Sequence, residues 1–523
     1  MHYFFLFAPR FTDWPLALIE EISARDPQAR FSGLVTDTRQ LLEQVKRRAS
    51  CEFVFLDHLD TLERSWIETP VSEKAVQDLE ARYDPVDLQR VVIGDRHVGA
   101  GYLSGADLPQ TPLLRHCRTT QGVQQYLVGI FRWIEQRFGS DDRPDVALLY
   151  AIASSHQVAV ALGCQKFGVQ MRTLPQTKVA GGVSLCAEVR MHNACIVDLL
   201  RREAREPGFL SAHMPAAKDY LENFRSTLSQ IPYEEALRRK YLAKLTLAAI
   251  AREALASNVR WLRSLRAVER PSIRKVHPYR LSAHKIRYMW RGRSLIRNEN
   301  QFLTMSSLQP REYVYFPLHV DPEASTMVKT PMLTDQAVII ESLAKALPPS
   351  LTLVVKEHVI MLGQRPPAFY ELLRAMPNVQ IMSPFVSGAA LAQQAAAIAT
   401  ITGTTGLEAL FLGVPLLLFG DAEYAFVGEG LIRCSDPAQL PDAVEKLLAL
   451  SPASDAALIR YIAAAMASSL PMRYADIWGE VSAETIAGNP GLQAIADGLM
   501  QAARDKPVGH ITDLAAENPE ISL

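Results

Sequence analysis

The 523-residue sequence predicts an α/β protein with two doubly wound domains, and three observations support this fold class. Short apolar runs alternate with helix-like segments through residues 1 to about 200, which is typical of parallel sheets covered by helices. The strand pattern disappears between about 206 and 305 and returns at residue 313. A chain of this length also exceeds what one hydrophobic core usually organises, so at least two domains are expected.

We predict four regions along the chain. Residues 1–205 form an N-terminal α/β domain, 206–305 a helical and basic connection, 306–460 a second α/β domain and 461–523 a helical tail. The last residues of the tail are expected to be poorly ordered. Two α/β domains of similar size around a helical connection predict a cleft between them, with ligands bound in it.

The composition indicates a soluble cytoplasmic protein. Apolar residues make up 48%, charged residues 21%, and the formal net charge is −1, so no overall attraction to nucleic acid is expected. The six cysteines form no CxxC pair, which favours reduced thiols over a disulfide framework or a zinc site. The apolar start is too short for a signal peptide, and no apolar window is long enough for a spanning helix.

The first domain is predicted from apolar runs separated by segments of helical period. The predicted strands are Tyr3–Ala8, Phe31–Val35, Phe53–Leu56, Val146–Ile152 and Val169–Leu174. The predicted helices are Trp14–Ser23, Ser72–Tyr83, Val123–Phe138 and one that follows Ser154-Ser155-His156 and ends at Phe167. Val146–Ile152 is almost continuously apolar, as expected of a strand buried on both faces.

The second half follows the same logic after a helical stretch. Helices are predicted at 216–228, 233–265, 335–347 and 368–375, and in much of the tail from 461 to 502. Strands are predicted at 313–317, 351–355, 379–382 and 416–419, with a further short apolar run before residue 402. These strands and helices again alternate, which predicts a second parallel sheet.

A strand–turn–helix–turn–strand unit contains the most informative turn, Thr402-Gly403-Thr404-Thr405-Gly406, with the helix predicted to open at Leu407. Free N–H groups at a helix start, together with the helix dipole, favour a phosphate. Glu408 is placed to accept hydrogen bonds from a ribose diol. Ordinary helix capping explains the same residues, and neither the P-loop lysine nor the GxGxxG spacing is present.

Two further polar segments follow strands of the second domain. Lys356-Glu357-His358 places a cation and an imidazole at the sheet edge that carries the turn, where they would balance phosphate charge. The loop after 313–317 offers His319, Asp321, Glu323 and Ser325 toward the predicted cleft. A solvated strand end and an ordinary polar loop are the alternative interpretations.

In the first domain, candidate catalytic groups are Asp95 and His156, with Arg96 also facing the predicted cleft. Asp95 follows the apolar Val91–Ile93, and His156 follows a buried strand. Either side chain would supply a carboxylate or an imidazole for acid–base work. The alternatives are a structural Asp95–Arg96 ion pair and a helix-capping role for His156.

The segment Arg260–Arg297 is strongly basic. It contains twelve Lys or Arg and a single acid, Glu269, interleaved with Trp261, Tyr279, Tyr288 and Trp290. Clustered cations attract anionic lipid head groups, and Trp and Tyr favour the membrane–water boundary. A nucleic-acid surface and a solvated helix pair with internal salt bridges are the alternatives, although no RNA- or DNA-binding motif accompanies the segment.

The second half resembles the bacterial capsule polysaccharide biosynthesis family, which includes the Kps/Lip-type transferases that add β-Kdo. The resemblance spans roughly residues 311 to 425 and rests on four motifs in order: YVYFPLHVDPEAST (313–326), LTLVVKEH (351–358), PNVQIMSP (377–384) and ITGTTGLEALFLGVPLLLFG (401–420). The family implies a GT-B-like fold of two Rossmann-like domains with the nucleotide sugar on the C-terminal one.

By this resemblance, His358, Thr404, Thr405 and Glu408 contact the phosphate and ribose of the donor. The fold implies no bound metal and no cofactor. Asp141-Asp142 is better explained as a turn than as a DxD metal site. Related CMP-sugar transferases usually carry His-Pro where this sequence has His358-Val359.

The leading hypothesis is a metal-independent glycosyltransferase that uses a CMP-Kdo-like or UDP-sugar donor and a surface polysaccharide or its lipid-linked precursor as acceptor. The donor contacts would be Lys356, Glu357, His358, Thr402, Gly403, Thr404, Thr405, Gly406 and Glu408. The alternatives are a sugar-nucleotide 2-epimerase-like enzyme and a non-catalytic scaffold of a polysaccharide assembly complex. The expected location is the cytoplasm, with contact at the inner face of the cytoplasmic membrane.

Overall fold

The computed structural model describes residues 1–105, 107–187, 193–227, 243, 245–265, 271–298, 301–478 and 483–505. The chain divides into two compact units, which are considered separately. Unit 1 contains residues 1–98, 116–214 and the chain from 461, and unit 2 contains residues 99–115 and 215–460. The helices after 461, predicted as a separate tail, therefore group with unit 1.

Unit 1 has a five-stranded parallel sheet. Its strands are β1 (His2–Phe7), β2 (Arg30–Val35), β3 (Phe53–His58), β4 (Val146–Leu149) and β5 (Gln170–Thr173). The order is β3-β2-β1-β4-β5, with every pair parallel. All five strands were predicted, because strands covered on both faces are apolar runs.

The helices of unit 1 cover this sheet. They are Asp13–Arg25, Arg39–Arg48, Leu59–Glu68, Glu73–Arg82, Pro85–Ile93, Thr120–Phe138, Ser155–Phe167, Ala194–Arg205, Tyr474–Trp478, Ala483–Ala487 and Pro490–Arg504. The last of these packs Leu492, Ile495 and Leu499 into the core that contains Tyr3 and Phe5 of β1. Residues from both ends of the described chain thus complete one hydrophobic core.

Unit 2 has a six-stranded parallel sheet. Its strands are β6 (Tyr313–Pro317), β7 (Thr352–Lys356), β8 (Val379–Met382), β9 (Ala397–Thr400), β10 (Leu416–Leu418) and β11 (Leu431–Arg433). The order is β11-β10-β9-β6-β7-β8. Chain order therefore reverses between β6 and β9, as it does between β1 and β4 in unit 1. Both sheets have Rossmann-like topology, and the predicted pair of α/β domains is confirmed.

The helices of unit 2 lie between and beside these strands. They are Leu247–Leu265, Pro278–Arg297, Ala324–Met327, Gln336–Ala346, Pro367–Ala375, Gly388–Gln394, Thr404–Phe411 and Leu440–Leu448. Three more helices, Pro112–His116, Met214–Thr227 and Asp455–Ala467, contain a boundary between the units. None of the helices in the described part of the chain combines the length and the hydropathy that a bilayer crossing requires.

β11 was not predicted, and one predicted helix starts elsewhere. The helix after β9 begins at Thr404, three residues before the predicted Leu407, so three of the five residues of the predicted turn are helical. Val91–Ile93 ends the helix Pro85–Ile93. Residues 228–242 and 244, within or beside the helix predicted at 233–265, and residues 506–523, predicted to be poorly ordered, lie outside the described residues.

Candidate functional site

The candidate site lies where the strand order of unit 2 reverses. In an open parallel sheet, the loops at the carboxyl ends of the two strands beside such a reversal separate and leave a crevice that binds ligands. Here those strands are β6 and β9, which pair through Val314 with Ala397 and Tyr315 with Ile398. The loop after β6 and the turn after β9 therefore lie together, as the sequence predicts.

The helix Thr404–Phe411 presents its first backbone amides at this point. Gly403 is the N-cap residue, and no side chain caps the helix. Gly403 donates its N–H to Thr400 Oγ1 (3.3 Å), which fixes the turn to the end of β9. Thr404 is exposed and Thr405 half-buried. The first turn of the helix thus offers N–H and hydroxyl donors with the positive end of the helix dipole, a combination suited to an anion.

His319, from the loop after β6, packs against this turn. Its Nε2 lies 3.3 Å from Thr400 Oγ1. A Cβ atom on Gly403 would stand 3.1 Å from His319 Cε1 and 2.9 Å from Thr400 Oγ1. Glycine is therefore the residue that lets the backbone approach the imidazole this closely.

Behind His319 lies a fully buried network centred on Arg365. Its guanidinium pairs with Asp321 (2.8 Å) and Glu357 (2.7 Å) and donates to the backbone oxygens of His319 (2.5 Å) and Gly105 (3.2 Å). Burial lowers the pKa of Arg365, but Glu357 and Asp321 outweigh this effect and raise it. Arg365 therefore stays charged and ties the loop after β6 to the end of β7.

Glu357 and Asp321 are the anionic partners in this network. Glu357 Oε2 accepts from Arg365 and from Tyr370 Oη (2.7 Å), and Oε1 accepts the backbone N–H of His358 (2.8 Å). Asp321 accepts from Arg365, Thr326 and Gln336. Burial raises the pKa of Asp321, whereas Arg365 opposes that rise. Both carboxylates accept hydrogen bonds from protein groups. Glu357, which was predicted to contact the nucleotide sugar, holds the backbone of His358.

His358 stands at the surface beside this network. The backbone N–H of Ile360 donates to its Nδ1 (3.3 Å), so the neutral ring carries its proton on Nε2. Partial desolvation lowers the pKa of His358, although Glu357 and Glu323 nearby favour protonation. At neutral pH the imidazole therefore offers an N–H donor without a charge.

Glu408 lies one turn into the helix and affects two buried tyrosines. Burial, with the charge of Glu408 adding to it, raises the pKa of Tyr315 and of Tyr424. Tyr424 donates its hydroxyl to the backbone oxygen of Gly403 (2.7 Å). A Cβ atom on Gly406 would stand 2.6 Å from that hydroxyl. Tyr424 thus holds the start of the helix in place. Close packing leaves no room for a Cβ atom at either Gly403 or Gly406.

The remaining predicted residues of unit 2 belong to the same edge of the sheet. Ser325 donates its hydroxyl to Glu323 Oε2 (2.8 Å), and its backbone oxygen accepts from Thr402 Oγ1 (3.3 Å). Lys356 ends β7, and its backbone oxygen accepts from Leu318. The structure therefore brings together the predicted residues that follow β6, β7 and β9. Sequence reasoning missed Arg365 and Tyr424, because neither stands in a motif.

The predicted residues of unit 1 surround another helix start. Asp95 is 1% exposed, and its Oδ2 accepts both the N–H (3.1 Å) and the hydroxyl (2.9 Å) of Ser155, the first residue of Ser155–Phe167. Its Oδ1 accepts the N–H of His97 (2.7 Å). Arg96 is exposed. Asp95 thus binds a helix start.

Ser155 also connects Asp95 to a second buried acid. The hydroxyl of Tyr126 lies 2.5 Å from Ser155 Oγ and donates to Glu63 Oε1 (2.9 Å). Ser154 Oγ lies 3.1 Å from Nδ1 of His156, which is also buried. Asp142, a residue of the predicted turn, pairs with Arg30. Among the described residues no cluster of three or more His, Cys, Asp or Glu side chains is arranged for a metal ion.

The fold and this site define a Rossmann-like α/β protein with a helix start that no side chain caps at the strand-order reversal of unit 2. Residues 211–444 match the family model described as "Capsule polysaccharide biosynthesis protein". The matched segment contains every strand of unit 2. A search of curated protein sequences gives no match.

Three solved structures illustrate the structural comparisons. The UDP-GlcNAc 2-epimerase from Neisseria meningitidis is similar at 12% identity and a TM-score of 0.21, covering 96% of this chain and 100% of that chain. The β-Kdo 2,4 transferase of Thermosulfurimonas dismutans KpsC is similar at 15% identity and 0.30, covering 62% and 79%. Its β-Kdo 2,7 transferase is similar at 17% and 0.23, covering 39% and 61%.

Proposed function

We propose that the protein is a GT-B glycosyltransferase that moves a sugar from a nucleotide-sugar donor to a capsular or other surface polysaccharide, or to its lipid-linked precursor. The family match over residues 211–444 carries this proposal, because the matched segment contains the whole site from β6 to Glu408. We place the reaction in the cytoplasm, where nucleotide sugars are available. Neither a metal nor a cofactor is assigned to it.

In this proposal the helix start at Gly403 holds the phosphate of the donor. The leaving group gains negative charge as the glycosidic bond breaks, and preorganised N–H groups stabilise that charge. The hydroxyls of Thr404 and Thr405 add donors. Gly403 and Gly406, which pack against His319 and Tyr424, keep the backbone close to the phosphate.

Two side chains would recognise the rest of the nucleotide. Glu408 would accept hydrogen bonds from the ribose hydroxyls, since its carboxylate lies one turn beyond the phosphate-binding amides. His358 would donate Nε2–H to a phosphate oxygen, with Lys356 adding charge. Glu357 would act indirectly by holding the backbone of His358.

The structure changes the role that we propose for Asp95. Because it is buried and already accepts three hydrogen bonds, we propose that it positions the helix Ser155–Phe167. His156 remains our candidate for acid–base work in unit 1, and Arg96, which is exposed, is a candidate acceptor contact.

Calorimetric titration with CMP and with UDP tests the site. We expect one of them to bind, and the variant Thr404→Ala/Glu408→Ala to bind it at least about tenfold more weakly, the loss of about 1.4 kcal/mol. The matched control is Ser350→Ala/Glu371→Ala, which changes exposed residues elsewhere in unit 2. If neither nucleotide binds, or if both variants bind like the wild type, the donor site is wrong.

An acceptor assay then separates the alternatives. Sugar transfer from the matching donor to a capsule extract supports the transferase. Conversion of the nucleotide sugar without any acceptor would favour an epimerase. Nucleotide binding without turnover, together with stable co-purification of other assembly proteins, would favour a scaffold.

A further inference from the structure

The helix Leu247–Leu265 turns an apolar face outward. Leu247, Leu255, Val259 and Leu262 are 53%, 69%, 46% and 54% exposed. The spacing of the last three, four and then three residues, places them on one side of the helix. Ala248 and Ala251 are exposed as well, and their positions fall on this side. Solvated helices normally carry polar residues on such a face.

The helix Pro278–Arg297 packs beside it and exposes aromatic and cationic side chains. Tyr279 and Trp290 are 52% and 49% exposed, and Arg280, Arg287 and Arg297 are exposed at positions compatible with the same side. Arg252 is exposed on the first helix. Arg252, Arg280 and Arg297 form no ion pair with any residue that the structure describes. Together these exposed side chains of Leu247–Leu265 and Pro278–Arg297 form what we call the hairpin face.

The hairpin face does not hold the hairpin together. The two helices contact each other through their opposite sides, where Leu245, Ala249, Ile250 and Met289 form a small core. Lys285 pairs with Glu253 (3.5 Å) between the helices. The exposed leucines and Arg252, Arg280 and Arg297 are therefore available for another function, whereas Arg287 pairs with Asp107 (3.5 Å).

We propose that the hairpin face docks on the surface of a bilayer that contains anionic phospholipids. Its positive charge is complementary to such a surface, since each Arg near an anionic leaflet strengthens binding about fivefold. Trp and Tyr favour the head-group region, and exposed leucines gain by insertion into the acyl boundary. Nucleic acid explains the arginines but not the exposed apolar side chains. The proposal is independent of the proposed glycosyltransferase activity.

Vesicle co-sedimentation of the full chain tests this proposal. We expect binding to vesicles of phosphatidylcholine with phosphatidylglycerol, little binding to phosphatidylcholine alone, and weaker binding at high salt. The apolar variant Leu255→Ser/Val259→Ser/Leu262→Ser and the charge variant Arg280→Gln/Arg297→Gln should each bind the anionic vesicles at least about tenfold more weakly. The matched control, Val338→Ser/Leu372→Ser/Leu448→Ser, removes three exposed apolar side chains elsewhere in unit 2 and should bind like the wild type.

Other outcomes would overturn the proposal. Circular dichroism confirms first that each variant keeps its helices. No binding by the wild type, equal binding to both vesicle types, or unchanged binding by both variants would each contradict lipid docking. Sedimentation velocity in the absence of lipid tests whether a second copy of the chain binds the hairpin face instead. A wild-type dimer that the apolar variant converts to monomer would show that this face joins two copies and would contradict lipid docking. Loss of vesicle binding in the control as well would show a general effect of surface apolarity.

Discussion

Two helix starts in equivalent positions of the two sheets differ in what occupies them. In unit 1 the helix Ser155–Phe167 follows β4, and in unit 2 the helix Thr404–Phe411 follows β9. β4 pairs with β1 and β9 pairs with β6, which are the two places where the strand order reverses. In unit 1 the carboxylate of Asp95 accepts the first N–H of the helix. In unit 2 the N-cap is Gly403, and no side chain caps the helix.

The difference shows that a strand-order reversal is not by itself a ligand site. The amides at a helix start stabilise an anion whether the protein or a ligand supplies it. Unit 1 supplies its own carboxylate and so closes that position. In unit 2 the buried acids of the two neighbouring loops, Asp321 and Glu357, pair with Arg365.

The largest expected effect comes from removing the anion of unit 1. Asp95→Ala leaves the N–H and hydroxyl of Ser155 buried without this acceptor, so we expect unfolding in urea to require about 2–4 kcal/mol less free energy. Asp78→Ala, an exposed acid on the helix Glu73–Arg82, should change stability by less than about 0.5 kcal/mol. Unchanged stability with lost turnover would instead make Asp95 a catalytic residue.

An intermediate effect is expected from narrowing the open helix start of unit 2. In Gly403→Ala the new methyl stands within 2.9 Å of Thr400 Oγ1 and 3.1 Å of His319 Cε1, so the turn must shift. The backbone angle of −65° suits alanine, so the cost falls on the site and little on folding. We expect nucleotide affinity to fall about tenfold, or about 1.4 kcal/mol, by calorimetry.

Gly388→Ala is the control for that substitution. Its Cβ would meet only Tyr315 Oη, at 3.4 Å, which is ordinary contact. Gly388 begins the helix Gly388–Gln394, which lies between β8 and β9 in the chain. Equal affinity loss in both variants would indicate a general disturbance of unit 2 and would contradict an anion site at Gly403.

The smallest effect concerns the protonation of His358. Its folded pKa lies below the unfolded value of 6.5, so the unfolded chain binds more protons between these two values. Stability from this group is therefore present above that window and is lost as pH falls through it. Nucleotide affinity should change in the opposite direction, rising about threefold at low pH as the ring gains charge beside a phosphate. Calorimetry across that window measures the affinity, and His358→Gln should reduce its pH dependence to the part that the nucleotide phosphate contributes.

The sequence predicts strands and helices well wherever burial is continuous. β8 lies at the predicted residues, because the polar residues on both sides of this short run define where the strand begins and ends. β11 escaped prediction, since this edge strand has only two apolar residues, Leu431 and Ile432, and is too short to show a pattern. The start of Thr404–Phe411 was predicted three residues late because threonine and glycine have low helix propensity. In the structure Thr404, Thr405 and Gly406 nevertheless form the first turn of the helix.

The candidate site is less accessible to sequence reasoning. The sequence indicates which polar residues follow β6, β7 and β9, and parallel strands bring those ends together. It does not indicate that Arg365 is buried, because its two carboxylate partners lie 44 and 8 residues away. In the same way Asp95 meets Ser155 across 60 residues. Such pairings depend on tertiary packing, and no local period reports them.

The division of the chain has a consequence for biosynthesis. The chain changes unit after residues 98, 115, 214 and 460, and the last helix of unit 1 ends at Arg504. A ribosome therefore completes the sheet of unit 1 long before it makes Leu492, Ile495 and Leu499, which share the core of β1. Until then, the helices Asp13–Arg25 and Arg39–Arg48 cover only part of that apolar core. We expect a protein truncated at residue 460, which lacks the last helix, to expose the rest of the core and to aggregate, which gel filtration would detect.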